Sequence, residues 1–114
     1  MISPKVSVII PAYKQAEYLG QTIQSVLDQT YPNFEVIVVN DASPDNTTEV
    51  VGQFNDPRLQ YIIHENNRML PAARNTGMRA ATGEILALLD ADDLFHRDKL
   101  AAHVEYLARH PEID

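Results

Sequence analysis

Asp90-Ala91-Asp92-Asp93 places three carboxylates in four residues. Ionised together they repel one another unless a cation or protons relieve them. Their hard oxygens suit Mg²⁺ or Mn²⁺, ions that bridge a protein carboxylate to a diphosphate. The same side chains could instead cap a following helix or lie solvated in a turn. The apolar run Glu84-Ile-Leu-Ala-Leu-Leu89 just before them reads as a buried strand, and ligands gather where such strands end.

A second carboxylate, Asp41, follows another apolar run in Val39-Asn-Asp-Ala-Ser43. There it could accept a hydrogen bond from a base N–H or a ribose hydroxyl, or form an Asx turn or helix cap. The Asp41, Ser43, Asp45 spacing superficially matches a calcium loop, but Asn46 stands at the sixth place and Gly52 at the twelfth. Without Gly and Glu at those places the calcium reading is excluded. Tyr13 could stack on a planar base or simply pack. Arg74 could pair with a phosphate or with the acidic cluster, or stay solvated. His64, His96, His103 and His110 show no metal-binding spacing, and most are expected at the surface; only His96 lies close behind the acidic cluster. No GxGxxG or GxxxxGK[ST] occurs, so a phosphate would be held by other means.

These residues need elements to position them. Lys5-Val-Ser-Val-Ile-Ile10 is β-branched and reads as a buried strand stopped by Pro11. From Ala16 the period changes, with Leu19, Ile23, Val26 and Leu27 on one helical face that ends near Thr30-Tyr31-Pro32. Phe34 to Val39 is a second strand, and the polar turn from Asn40 to Asn46 offers Asx and Ser caps for a short helix over Thr47 to Phe54. Leu59 to Ile63 is a third strand and His64 to Leu70 a polar loop. Ala73, Thr76, Gly77 and Ala80 share the small face of a third helix that Gly83 ends. After the fourth strand, Leu100, Val104 and Leu107 mark a last helix stopped before Pro111. This β-α-β-α-β-α-β-α order predicts an α/β fold: a Rossmann-like, mostly parallel sheet with helices on both faces. If strands one and four are neighbours, the residues after both face one crevice flanked by Asp41.

The whole chain of 114 residues is the size of one domain. Nine Lys and Arg against 16 Asp and Glu give a net charge of −7, which repels polyanions and excludes nucleic acid as a natural partner. An acidic chain can still bind a phosphate ligand through local donors or a bridging cation. The absence of cysteine excludes disulfides, thiolate metal sites and a Cys nucleophile. No apolar stretch approaches the roughly 18 residues of a membrane span, and the first residues lack a secretion-signal pattern, so a cytoplasmic location is expected.

Taken together, Val8-Ile-Ile-Pro-Ala-Tyr13, Val38-Val-Asn-Asp-Ala-Ser43, Ala73-Arg-Asn-Thr-Gly77 and Leu88-Leu-Asp-Ala-Asp-Asp93 resemble the family 2 glycosyltransferases of the GT-A fold. The resemblance runs from about Lys5 to Asp114. It implies the N-terminal, nucleotide-sugar-binding half of a metal-dependent inverting enzyme, with residues 1–114 as a single truncated domain. By resemblance, Pro11, Ala12, Tyr13 and Asp41 line the nucleoside pocket, the aromatic against the base and the carboxylate on its edge. Arg74 lies near the nucleotide, Asp92 holds an Mn²⁺ or Mg²⁺ ion on the diphosphate, and Asp90 contacts ribose or metal. The implied partners are a nucleotide-sugar donor, UDP by default, and a saccharide or lipid-linked saccharide acceptor. The general base is expected beyond Asp114, leaving the fragment with little or no turnover. Self-association through surface that truncation exposes is also expected, as is peripheral association of the full enzyme with the cytoplasmic membrane face. The chain departs from the family pattern with Lys14 where Asn is common, Met69 where Gly is common and Arg97 where Pro is common. Two other readings remain: an aspartate-based, Mg-dependent phosphotransferase or phosphatase, and a non-catalytic nucleotide-binding or interaction module.

Overall fold

The computed structural model describes residues 3–110; Pro111, read as the stop of the last helix, lies outside them. The elements run β1 (Val6–Ala12), α1 (Ala16–Leu27), β2 (Phe34–Asn40), α2 (Thr47–Gly52), β3 (Leu59–Ile63), α3 (Met69–Ala80), β4 (Ile85–Leu88) and α4 (Lys99–Arg109). The four strands form one sheet in the order β3-β2-β1-β4, with every pairing parallel. The order reverses between β1 and β4, so the crevice of this fold opens at their carboxyl ends.

The side chains of β1 alternate between two layers. Val6, Val8, Ile10 and Ala12 pack with Leu19, Ile23 and Val26 of α1 and with Leu100 and Val104 of α4. On the opposite face, Ile37 and Val39 of β2 pack against Ala73 of α3. A methyl group at Gly77 would sit 2.5 Å from Cγ2 of Ile9, so the small face of α3 lets helix and sheet approach closely. Gly83 serves the same end rather than stopping the helix, which finishes at Ala80: a Cβ there would lie 2.7 Å from the Lys5 carbonyl.

Three further expectations need correction. Pro11 does not stop β1, which continues to Ala12 with Pro11 opposite Val39. The Ile9 carbonyl accepts from Leu89 N–H, and two residues on Pro11 turns its ring nitrogen to the same side, where β4 has already ended. Strand β4 is an edge strand and is not buried on both faces. Ala87 and Leu89 enter the core, but Leu86 and Leu88 are 44% and 48% exposed because α3 covers β1 and β2 and stops short of them. Finally, no side chain caps α2 at Asn46. Ser43 and Asp45 are drawn instead to the β1–α1 loop, where Ser43 Oγ accepts from Lys14 N–H at 2.8 Å and Asp45 Oδ2 from Ala16 N–H at 3.2 Å.

Candidate functional site

Because the strands are parallel, all four carboxyl ends lie on one edge of the sheet, and the loops there are fastened to one another. Asp41 N–H donates to the Ala12 carbonyl at 3.0 Å, and His64 N–H to the Asn40 carbonyl at 2.8 Å. Ser43 N–H donates to Asn40 Oδ1 at 2.8 Å. Burial raises the Asp45 carboxyl, but hydrogen bonds from the Ser43 and Thr47 hydroxyls and Ala16 N–H outweigh it and hold the group below its ordinary value.

The acidic loop after β4 is held through its backbone by α1. Thr22 Oγ1, fully buried, lies 2.8 Å from the Ala91 carbonyl and 2.7 Å from that of Asp93. Ser25 Oγ accepts from Phe95 N–H, and Gln29 both donates to the His96 carbonyl at 2.6 Å and accepts from Leu100 N–H at 2.9 Å. With the backbone fixed in this way, the Asp90 and Asp92 side chains are left exposed toward the crevice. Asp93 is spent locally, its Oδ1 accepting from Leu94 N–H. His96 takes no part in the site; its ring accepts from Asp98 N–H.

The crevice is a cavity of about 460 Å³. Seven residues singled out from the sequence line it, Pro11, Ala12, Tyr13, Asp41, Arg74, Asp90 and Asp92, whereas Asp93 and His96 do not. Tyr13 is 39% exposed, leaving ring area free for a planar ligand. Arg74 reaches Asp90 at 3.7 Å while its Nε is buried with no hydrogen-bond partner, a donor pointed at nothing in the protein. Asp41 is 3% exposed, and its Oδ1 accepts from His64 Nδ1 and from Arg68 N–H, each at 2.8 Å.

His64 is the residue that sequence reasoning missed. It is 7% exposed, not on the surface, and its Nε2 lies 2.8 Å from the Thr76 hydroxyl of α3. Its position directly after β3, matching Asp41 after β2, is the signal that could have found it. Met69 and Leu70, read as loop, open α3 and also line the cavity.

Three non-glycine residues have left-handed backbone, and all flank this cavity: Lys14 at φ 58°, Ala42 at 59° and Met69 at 75°. Lys14 and Met69 are two of the positions where Asn and Gly were the expected residues. Asn and Gly are the residues that adopt this conformation at least cost.

A divalent cation fits this donor set. No group of three or more His, Asp or Glu gathers into a ready cage among the described residues. Two hard carboxylates, Asp90 and Asp92, share the cavity, which suits an ion that takes its other ligands from phosphate oxygens and water.

A sequence model of the family described as "Glycosyl transferase family 2" matches residues 7–113. A relative, the putative teichuronic acid biosynthesis glycosyltransferase TuaG of Bacillus subtilis, is 39% identical over 106 residues, covering 91% of this chain and 42% of its own. Among solved structures, S. aureus TarS 1-349 in complex with UDP superposes with a TM-score of 0.87 at 32% identity, covering 94% of this chain. The mannosyltransferase PcManGT of Pyrobaculum calidifontis, in complex with GDP-Man and Mn²⁺, gives 0.88 at 36% identity over 95%. This chain spans 33% of each of those two solved chains.

Proposed function

The chain belongs to glycosyl transferase family 2 and has a GT-A fold, and on that premise we propose that it binds the nucleotide-diphosphate end of a sugar donor, UDP-linked by preference. The observation that carries this reading is the convergence of Tyr13, Asp41, Arg74, Asp90 and Asp92 on one cavity. The base stacks on Tyr13 with its edge at Asp41, and the unpartnered Arg74 Nε donates to the nucleotide. Asp90 and Asp92 hold an Mn²⁺ or Mg²⁺ ion, which when bound supplies positive charge for the departing diphosphate. TarS with UDP and PcManGT with GDP-Man and Mn²⁺ support the ligand class.

For the whole protein we propose inverting transfer of the sugar to a hydroxyl of a saccharide or lipid-linked saccharide, at the cytoplasmic face of the membrane. The teichuronic acid role of the Bacillus relative supports a saccharide product. Inversion requires a base that deprotonates the acceptor opposite the leaving group. The lining carboxylates are already committed to base, ribose and cation, so none of them is assigned that role. The open face of β4 around Leu86 and Leu88 is the surface proposed for self-association; a monomeric light-scattering mass at high concentration excludes it.

The test is calorimetric titration of UDP, GDP and CMP into this chain with and without Mn²⁺, repeated on Asp92→Ala. Binding that requires both metal and Asp92, weakened about a hundredfold when either is removed, is expected. A folded chain that binds no nucleotide overturns the reading, and phosphatase turnover favours the phosphotransfer alternative.

A further inference from the structure

The cavity offers Asp41 as its buried acceptor, and the protein has already used half of it. A carboxylate oxygen has about two lone-pair positions. Both on Oδ1 are taken, one by His64 Nδ1 and one by Arg68 N–H. Oδ2 has no hydrogen-bond partner among the described residues, and Asp41 lines the cavity. Since a carboxylate only accepts, His64 Nδ1 must carry a proton. The ring is pinned on its far side by the Thr76 hydroxyl at 2.8 Å, so it cannot swing away without breaking that contact.

We propose that His64 is a base-selecting residue: by occupying Asp41 Oδ1 it leaves one acceptor oxygen, which fits uracil and not guanine. Uracil presents a single ring N–H between two carbonyls, and one oxygen satisfies it. Guanine presents a ring N–H beside an amino N–H, a parallel pair that matches both oxygens of a free carboxylate. With Oδ1 saturated, the guanine amino group would be desolvated without an acceptor, the kind of mismatch that discriminates strongly. Cytosine has no ring N–H to give and meets Oδ2 with a ring nitrogen lone pair. The inference rests on Asp41 as the base-edge residue proposed above. His64 acts through Asp41 and does not itself touch the nucleotide.

The experiment is calorimetric titration of UDP and GDP, with Mn²⁺ present, into this chain and its Asp41→Ala, His64→Phe, His64→Asn and Thr76→Val variants, each checked for folding by its thermal melt. The unaltered chain should prefer UDP by about tenfold or more. His64→Phe, which frees an acceptor position on Oδ1, should strengthen GDP about tenfold while leaving UDP within about threefold, so the preference collapses. His64→Asn, whose amide N–H can replace Nδ1–H, should restore it. Thr76→Val, which releases the ring, should narrow the preference about threefold and serves as the test if His64→Phe fails to fold. A purely structural role would weaken both nucleotides together and leave the ratio unchanged, and that result overturns the inference. So does GDP binding equal to UDP in the unaltered chain. If Asp41→Ala binds UDP as the unaltered chain does, the assignment of Asp41 to the base fails first, and the role of His64 falls with it.

Discussion

At the amino end of the sheet the polar groups consume one another, whereas at the carboxyl end several are left over. Ser7 Oγ donates to Glu35 Oε2 at 2.5 Å and accepts from Gly83 N–H at 2.8 Å. Thr82 donates to the same carboxylate through both its N–H and its hydroxyl, and Lys5 lies 3.6 Å from Glu35 Oε1. Nothing there adopts left-handed backbone. At the opposite edge of the same sheet, Arg74 Nε and Asp41 Oδ2 have no partners among the described residues, Asp92 makes no ion pair with them, and three residues have left-handed backbone. One end pairs its polar groups with one another, and the other leaves several unpaired around the cavity. Strain and unpaired groups concentrate where the surrounding fold can sustain them, here beneath loops tied down by Thr22, Gln29 and Asp45.

Substitutions at each end should therefore read out differently. The largest effect on stability is expected from Gly83→Ala, whose added Cβ would meet Lys5 O and Ser7 N, backbone that cannot rotate aside. A loss of about 3 kcal/mol in urea unfolding is expected, with nucleotide affinity of the remaining folded chain unchanged. The reverse pattern is expected of Asp92→Ala, the binding variant described above, which should unfold within about 0.5 kcal/mol of the parent because the side chain is exposed and unpaired. A change of more than about 1 kcal/mol would mean that the acidic loop is structural after all.

Relieving strain should sharpen the contrast. Met69→Gly removes a left-handed side-chain residue at φ 75° and should raise stability by about 1 kcal/mol. A loss of stability would show that the Met69 side chain stabilises the cavity wall more than its backbone costs. The smallest effect concerns pH. Burial raises the Glu35 carboxyl, but the Ser7 hydroxyl, the Thr82 N–H and hydroxyl, and Lys5 outweigh it, so its folded value lies below the ordinary one. The unfolded chain then binds the proton more readily. The contribution is present above the ordinary glutamate range and is lost as pH falls through the lowered folded value. Acid titration of unfolding should show this slope below about pH 4.5, and Glu35→Gln should flatten it. An unchanged slope would mean that the carboxylates of the other end dominate acid unfolding.

Much of this was legible in the chain itself. Strand and helix periods located all eight elements, and the acidic cluster, Asp41, Tyr13 and Arg74 were readable because parallel β-α-β order puts every post-strand residue on one edge. Pro11 was misread because its tolerance depends on β4 ending earlier than β1, a fact of pairing between residues about 80 apart. The open face of β4 was misread because an apolar run says nothing about whether a helix covers it.

What the sequence determined alone is local: the periods that make strands and helices, and the chemical types placed at their ends. What only the tertiary structure decided is partnership. His64 has no spacing that marks it, and its role exists because sheet order β3-β2-β1 sets it beside Asp41 while α3 crosses back to bring Thr76 to its other nitrogen. Hydrogen bonds act over about 3 Å, so which oxygen of Asp41 stays unpartnered is settled by that crossing and by nothing along the chain.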